Sequence, residues 1–104
     1  VAWFVLVVSG VMEAVWATAL GKSEGLTRLG PSVVFVLALA LSMVGLAMAM
    51  RSLPTGTSYA VWVGIGAALT VAFAMLTGTE PVSGLRVALL LGLVACIVGL
   101  KLVG

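Results

Sequence analysis

The chain has 104 residues, 63% of them apolar, with five Lys or Arg against three Asp or Glu and a net charge of +2. A water-soluble domain carries roughly 25% charged residues, so this composition and a mean hydropathy of +1.39 exclude a soluble fold and place the chain in lipid. Histidine is absent, Cys96 is the only cysteine and the basic residues are scattered, which excludes an intrachain disulfide, the usual His/Cys metal sites and a nucleic-acid interface.

A bilayer core about 30 Å thick is crossed by roughly 20 apolar residues in a helix. Four such runs follow one another, at residues 2–20, 32–50, 57–76 and 85–103. They predict an all-α protein of four transmembrane helices in a single domain, residues 1–104. Barrel strands are about ten residues long and alternate in polarity; these runs are twice that length and uniformly apolar. Short connections separate them, punctuated by Gly25, Gly30 and Pro31, by Ser52 to Gly56, and by Thr77 to Pro81 with Ser83 and Gly84.

The first span holds the one ionisable residue deep inside a span, Glu13. A charged side chain near the bilayer centre costs about 3 kcal/mol even on mild insertion scales, and such residues mark ion or proton pathways by default. The bland reading is a protonated acid bonded to a neighbouring helix. Gly10, Glu13 and Trp16 are three apart and share a face. Gly10 clears space beside the carboxylate, and Trp16 supplies a flat wall with one N–H donor.

In the second span Ser42 lies near the middle, where a lone serine usually bonds its own backbone. Tyr59 and Trp62 open the third span, either as interface anchors or as polar donors to a site. Gly64 and Gly66 follow, a pair that allows a bend or close helix packing. The fourth span carries Gly92, Cys96 and Gly99 along one stripe, small residues of the kind that let helices approach in lipid. That helix reads as a packing or dimerisation element.

Orientation is not encoded. Lys22, Arg28 and Arg86 fall on one side of the membrane, and Arg51 and Lys101 on the other, a bias of one charge under the positive-inside rule. Insertion both ways, with antiparallel pairing, would build from two copies the inverted repeat that many transporters encode in one chain. Two Glu13 carboxylates would then share a dry site. Desolvation and mutual repulsion both favour protons there, and an entering cation reverses both. Protons and cation compete for the same groups, which couples their movement without any cofactor.

The four short spans, Glu13, Gly25-Leu26-Thr27-Arg28-Leu29 with Pro31-Ser32, and the stretch from Leu53-Pro54-Thr55-Gly56 through Tyr59-Ala60-Val61-Trp62 to Gly66-Ala67 resemble the small multidrug resistance family over essentially the whole chain. The resemblance implies an antiparallel, dual-topology homodimer in the cell membrane. Its first three spans line the site and its fourth makes the dimer contact. It further implies proton-coupled antiport, with Glu13 of both copies binding cation and protons in turn. Carried over by position, Ser42, Tyr59 and Trp62 hold the two carboxylates, Gly10 and Trp16 border the pocket, and Gly64 and Gly66 form a bend in span three. Glu13-Ala14-Val15-Trp16-Ala17 resembles the guanidinium-exporting subtype. One departure is Lys22, which stands one place later than the family's usual lysine.

The expected cargo is therefore guanidinium and its small substituted forms, whose planar array of paired N–H donors matches a carboxylate in bidentate fashion. The alternative within the same fold is an exporter of quaternary-ammonium or polyaromatic drug cations. Two readings come from other classes: an anion channel, against which the buried acid argues, and a non-transporting assembly subunit, in which Glu13→Gln would leave the activity of its partner intact.

Overall fold

The computed structural model describes residues 1–103. Four α-helices follow one another: α1 (Ala2–Lys22), α2 (Leu29–Ala49), α3 (Thr55–Leu76) and α4 (Gly84–Val103). At about 1.5 Å per residue each is about 30 Å long, and all four are apolar enough to cross a membrane. The protein is a multi-pass membrane protein.

The first helix starts where the sequence pattern places it, and the other three start one to three residues earlier. Helix α2 begins at Leu29, before Gly30 and Pro31, because the first four N–H groups of a helix have no intrahelical acceptor and proline loses nothing among them. Helix α3 begins directly after Pro54, and α1 extends to Lys22.

The turns that force the spans together are tightly bonded. Ser23 is fully buried at the end of α1; its hydroxyl donates to the Leu20 carbonyl (2.7 Å) and accepts the Leu26 N–H (3.0 Å). Its carbonyl accepts the N–H groups of Thr27 and Arg28 at 2.9 and 3.0 Å. This knot holds Glu24, Gly25 and Leu26 at φ of 52°, 72° and 69°, a left-handed run that only the glycine adopts without strain. Between α3 and α4, Gly78 (φ 78°) lets the N–H groups of Thr79 and Glu80 fold back onto the Ala74 carbonyl. Ser83 then caps α4 by accepting the Arg86 N–H (3.1 Å).

Helix α1 is the axis of the bundle. It packs along both α2 and α3, which scarcely touch each other, whereas α4 packs against α3 and reaches α1 where Lys101 Nζ lies 5.7 Å from the Trp3 ring centroid. The core is correspondingly small: Leu6 on α1, Leu46 and Ala49 on α2, Val61 and Trp62 on α3. No residue of α4 is buried. Large apolar side chains such as Leu37, Leu41, Leu89 and Leu91 stand in the open, a surface that suits hydrocarbon and not water.

Candidate functional site

Side chains three and four apart on a helix share a face. On α1 that rule lines up Leu6, Ser9, Gly10, Glu13 and Trp16; the first three are buried and the last two half-buried. The glycines opposite and beside them are filled by named neighbours. A Cβ on Gly10 would lie 2.8 Å from Ile65 Cγ2, so α3 leans directly on that turn. A Cβ on Gly66 would overlap Glu13 Oε1, so the carboxyl rests on bare backbone of α3.

In that seat Glu13 Oε1 is buried without a hydrogen-bond partner. An anion with no donor would be heavily penalised there. One turn further along α1, Trp16 meets Phe35 of α2 edge to face, with ring centroids 5.9 Å apart at 69°. Its Nε1 is also buried and unpartnered. An orphaned acceptor and an orphaned donor thus stand three residues apart on one helix.

A second constellation is fully bonded. Trp62 Nε1 donates to Ser42 Oγ (3.0 Å), and Ser42 Oγ donates to the Ser9 carbonyl (2.8 Å), all of it buried. These bonds tie α3 to α2 and α2 to α1. Within the single chain, then, the hydrogen bonds of Ser42 and Trp62 run to each other and to α1 backbone and not to Glu13. Tyr59 packs its ring 5.9 Å from that of Trp62, yet is itself 55% exposed and faces out of the chain. Ser9 is the participant that sequence reasoning passed over. Its position four residues before the acid was the available signal.

A family model for the Small Multidrug Resistance protein matches residues 1–94. The chain belongs to this family. Relatives include the guanidinium exporter of Yersinia pseudotuberculosis serotype I (strain IP32953), 48% identical over 102 residues that make up 97% of each chain. The guanidinium exporter of Escherichia coli (strain K12) is 46% identical over 100 residues, 96% of this chain and 95% of the other. That of Citrobacter freundii is 45% identical over the same span.

The remaining expected residues of this small multidrug resistance protein divide into two groups. Gly64 and Gly66 are both buried contact points in an uninterrupted α3: Gly66 receives Glu13, and a Cβ on Gly64 would lie 2.7 Å from Ile97 Cδ1 of α4. Gly92 and Gly99, by contrast, have open space where a Cβ would stand, and Cys96 is exposed. The α4 stripe therefore packs on nothing within its own chain.

An apolar groove of about 580 Å³ lies elsewhere. It is lined by Val11, Ala14, Val15 and Thr18 of α1 with Val34, Leu69 and Phe73, positions that helical geometry places on the opposite side of α1 from Ser9 and Glu13. At its end Lys22 Nζ sits 5.6 Å from the Phe73 ring centroid. Among the described residues no three His, Cys, Asp or Glu side chains gather to hold a metal ion.

Proposed function

We propose that this protein exports guanidinium and small substituted guanidinium cations in exchange for protons, as an antiparallel homodimer in which the two Glu13 carboxylates bind cation and proton alternately. One observation carries the mechanism: Glu13, the only acid within the four helices among the described residues, is seated in a glycine notch with a buried oxygen that nothing in the chain satisfies. Three relatives that match over nearly the full length are named guanidinium exporters, which supports the cargo.

The chemistry follows from what the chain leaves unpaired. A neutral acid sits in the notch at least cost. Once deprotonated, the carboxylate needs donors, and a guanidinium supplies two in parallel to each of two carboxylates. Proton and cation therefore exclude one another at the same oxygens. Trp16, with its free N–H beside the acid, borders the pocket and donates to whichever carboxylate swings towards it. Tyr59, facing outward, serves the second copy, while Ser42 and Trp62 brace the wall. The Gly92, Cys96 and Gly99 stripe of α4, which packs on nothing in its own chain, forms the dimer contact, since small residues facing lipid let another helix approach closely. The nearly even distribution of basic residues permits the two copies to insert in opposite senses.

The test is substrate-driven current in proteoliposomes on a solid support. Guanidinium evokes a proton-coupled current that weakens as the medium is acidified, because protons occupy the same oxygens. Glu13→Gln reduces that current to background while the dimer still assembles. A larger response to tetraphenylphosphonium than to guanidinium would overturn the assignment of cargo, and retained coupling in Glu13→Gln would overturn the mechanism.

A further inference from the structure

The bonded constellation contains a geometric coincidence that its hydrogen bonds alone do not explain. The Ser9 carbonyl that accepts the Ser42 hydroxyl at 2.8 Å is, by the i to i−4 rule of the α-helix, also the acceptor for the backbone N–H of Glu13. The chain of bonds from Trp62 through Ser42 thus ends on the peptide group that sets the turn bearing the acid. For Ser42 to reach that carbonyl, α1 and α2 must come close beside it. They do so at Gly45, one turn from Ser42 on the same face of α2. A Cβ on Gly45 would overlap the Ser9 hydroxyl and would stand 3.1 Å from Ser9 Cβ. The Ser9 hydroxyl is itself pinned there by donating to the Val5 carbonyl at 2.8 Å, and it is almost wholly buried.

We propose that Ser9 and Gly45 are a matched pair of positioning residues: the serine hydroxyl fills the space of the missing glycine side chain, sets the separation of α1 and α2, and so keeps Ser42 bonded to the carbonyl that fixes the Glu13 turn. Neither side chain touches substrate. Their influence reaches the site through the Ser42 bond and the helix backbone, and it rests on the reading of Glu13 as the exchanging group. A methyl at position 45 wedges the helices apart, lengthens the Ser42 to Ser9 bond and leaves Glu13 less well placed. Removing the Ser9 hydroxyl ends that overlap and leaves the methyl 3.1 Å from the Cβ at position 9, a crowding that a shift of a few tenths of an ångström relieves, so the two substitutions largely compensate.

A double-mutant cycle decides the matter, with guanidinium transport and the indole N–H resonance of Trp62 as its two readouts. The resonance is assigned by its loss in Trp62→Phe. Gly45→Ala is expected to shift the Trp62 signal and to raise KM for guanidinium about two- to tenfold, the worth of one buried hydrogen bond. A packing defect alone would instead lower the amount of active protein at constant KM. In the Ser9→Ala background the same change at position 45 is expected to move KM by less than about twofold and the resonance correspondingly less. If Gly45→Ala fails to fold, recovery of folded dimer in the double variant is the same compensation read as yield, and no recovery refutes the pairing. Equal effects in both backgrounds, or an unmoved Trp62 signal in Gly45→Ala, also refute it. Failure of the Glu13 reading is distinguishable, because it appears as transport in Glu13→Gln whatever the cycle gives.

Discussion

Helices α1 and α4 are both apolar spans of about 20 residues, yet they are related to the rest of the chain in opposite ways. Helix α1 is gripped on two sides, and three glycines on its inner face or opposite it have identified occupants: Ile65 against Gly10, the Ser9 hydroxyl against Gly45, the Glu13 carboxyl against Gly66. Helix α4 touches α3 through Ile97 against Gly64, and its own row of small residues meets nothing. A glycine in a membrane helix therefore has no meaning by itself. It matters where an opposing helix has something to insert.

The contrast breaks most severely at Gly66. Gly66→Val places a branched side chain where the Glu13 carboxyl now rests, so the acid must leave its seat or the helices must part. Guanidinium transport is expected to fall by more than about tenfold. Overpacking of this kind also destabilises a fold by about 1–3 kcal/mol, which a detergent titration of unfolding would measure. Wild-type transport in that variant would mean that the seat has no part in exchange.

A paired substitution tests the two faces of α4 against each other. Gly64→Leu collides with Ile97 and is expected to loosen α4 from α3, by a similar 1–3 kcal/mol. A Cβ at position 92 has no neighbour within 4 Å; Gly92→Leu should therefore leave the stability of the monomer unchanged and lower the yield of cross-linked dimer. Should Gly92→Leu dimerise normally, the α4 stripe is lipid-facing surface and the dimer contact lies elsewhere.

How much of this contrast was legible in the sequence follows from what each feature depends on. The four spans are a matter of length and hydropathy, and Glu13 of charge in an apolar run, so both stood out. Ser42 and Trp62 drew attention as polar atoms in lipid, but their mutual bond depends on how α2 and α3 are rotated about their axes. Nothing in the nearly uniform apolarity of α2 (Leu29–Ala49) records that rotation. The meeting of Ser9 with Gly45 spans 36 residues and needs the same information. Conversely, Gly92, Cys96 and Gly99 have the regular spacing of a packing motif, although they pack on nothing within their own chain. Helix ends at prolines were misjudged by two or three residues, since proline is harmless in a first turn.

A smaller effect is expected at Trp16, which belongs to the gripped helix but lies at the edge of its buried face. Trp16→Gly removes the wall against Phe35 together with the unpartnered N–H, and so enlarges the site without disturbing the Glu13 seat. Selectivity should move towards bulkier cations, with the ratio of tetraphenylphosphonium to guanidinium transport rising about tenfold, the scale on which apolar pocket volume discriminates. An unchanged ratio would show that pocket volume at this position does not choose the cargo.

The smallest effect is expected where charge meets water instead of lipid. Arg86 Nη1 and Glu80 Oε1 are 2.7 Å apart across the turn from α3 to α4, with both side chains about 40% exposed. The geometry is as good as any contact in the molecule. Exposed pairs of this kind nonetheless contribute only about 0.2–1 kcal/mol, because water already solvates both partners and ordering two side chains opposes the gain. The turn has independent supports in the Ala74 carbonyl, which receives two backbone N–H groups, and in the Ser83 cap of α4. Glu80→Gln should therefore change unfolding stability by less than about 1 kcal/mol and leave guanidinium transport intact, whereas the same exchange of acid for amide at Glu13 is expected to end transport. A short distance between charges is a poor guide to importance; the Glu13 oxygen, buried with no partner, is the one on which the proposed exchange turns.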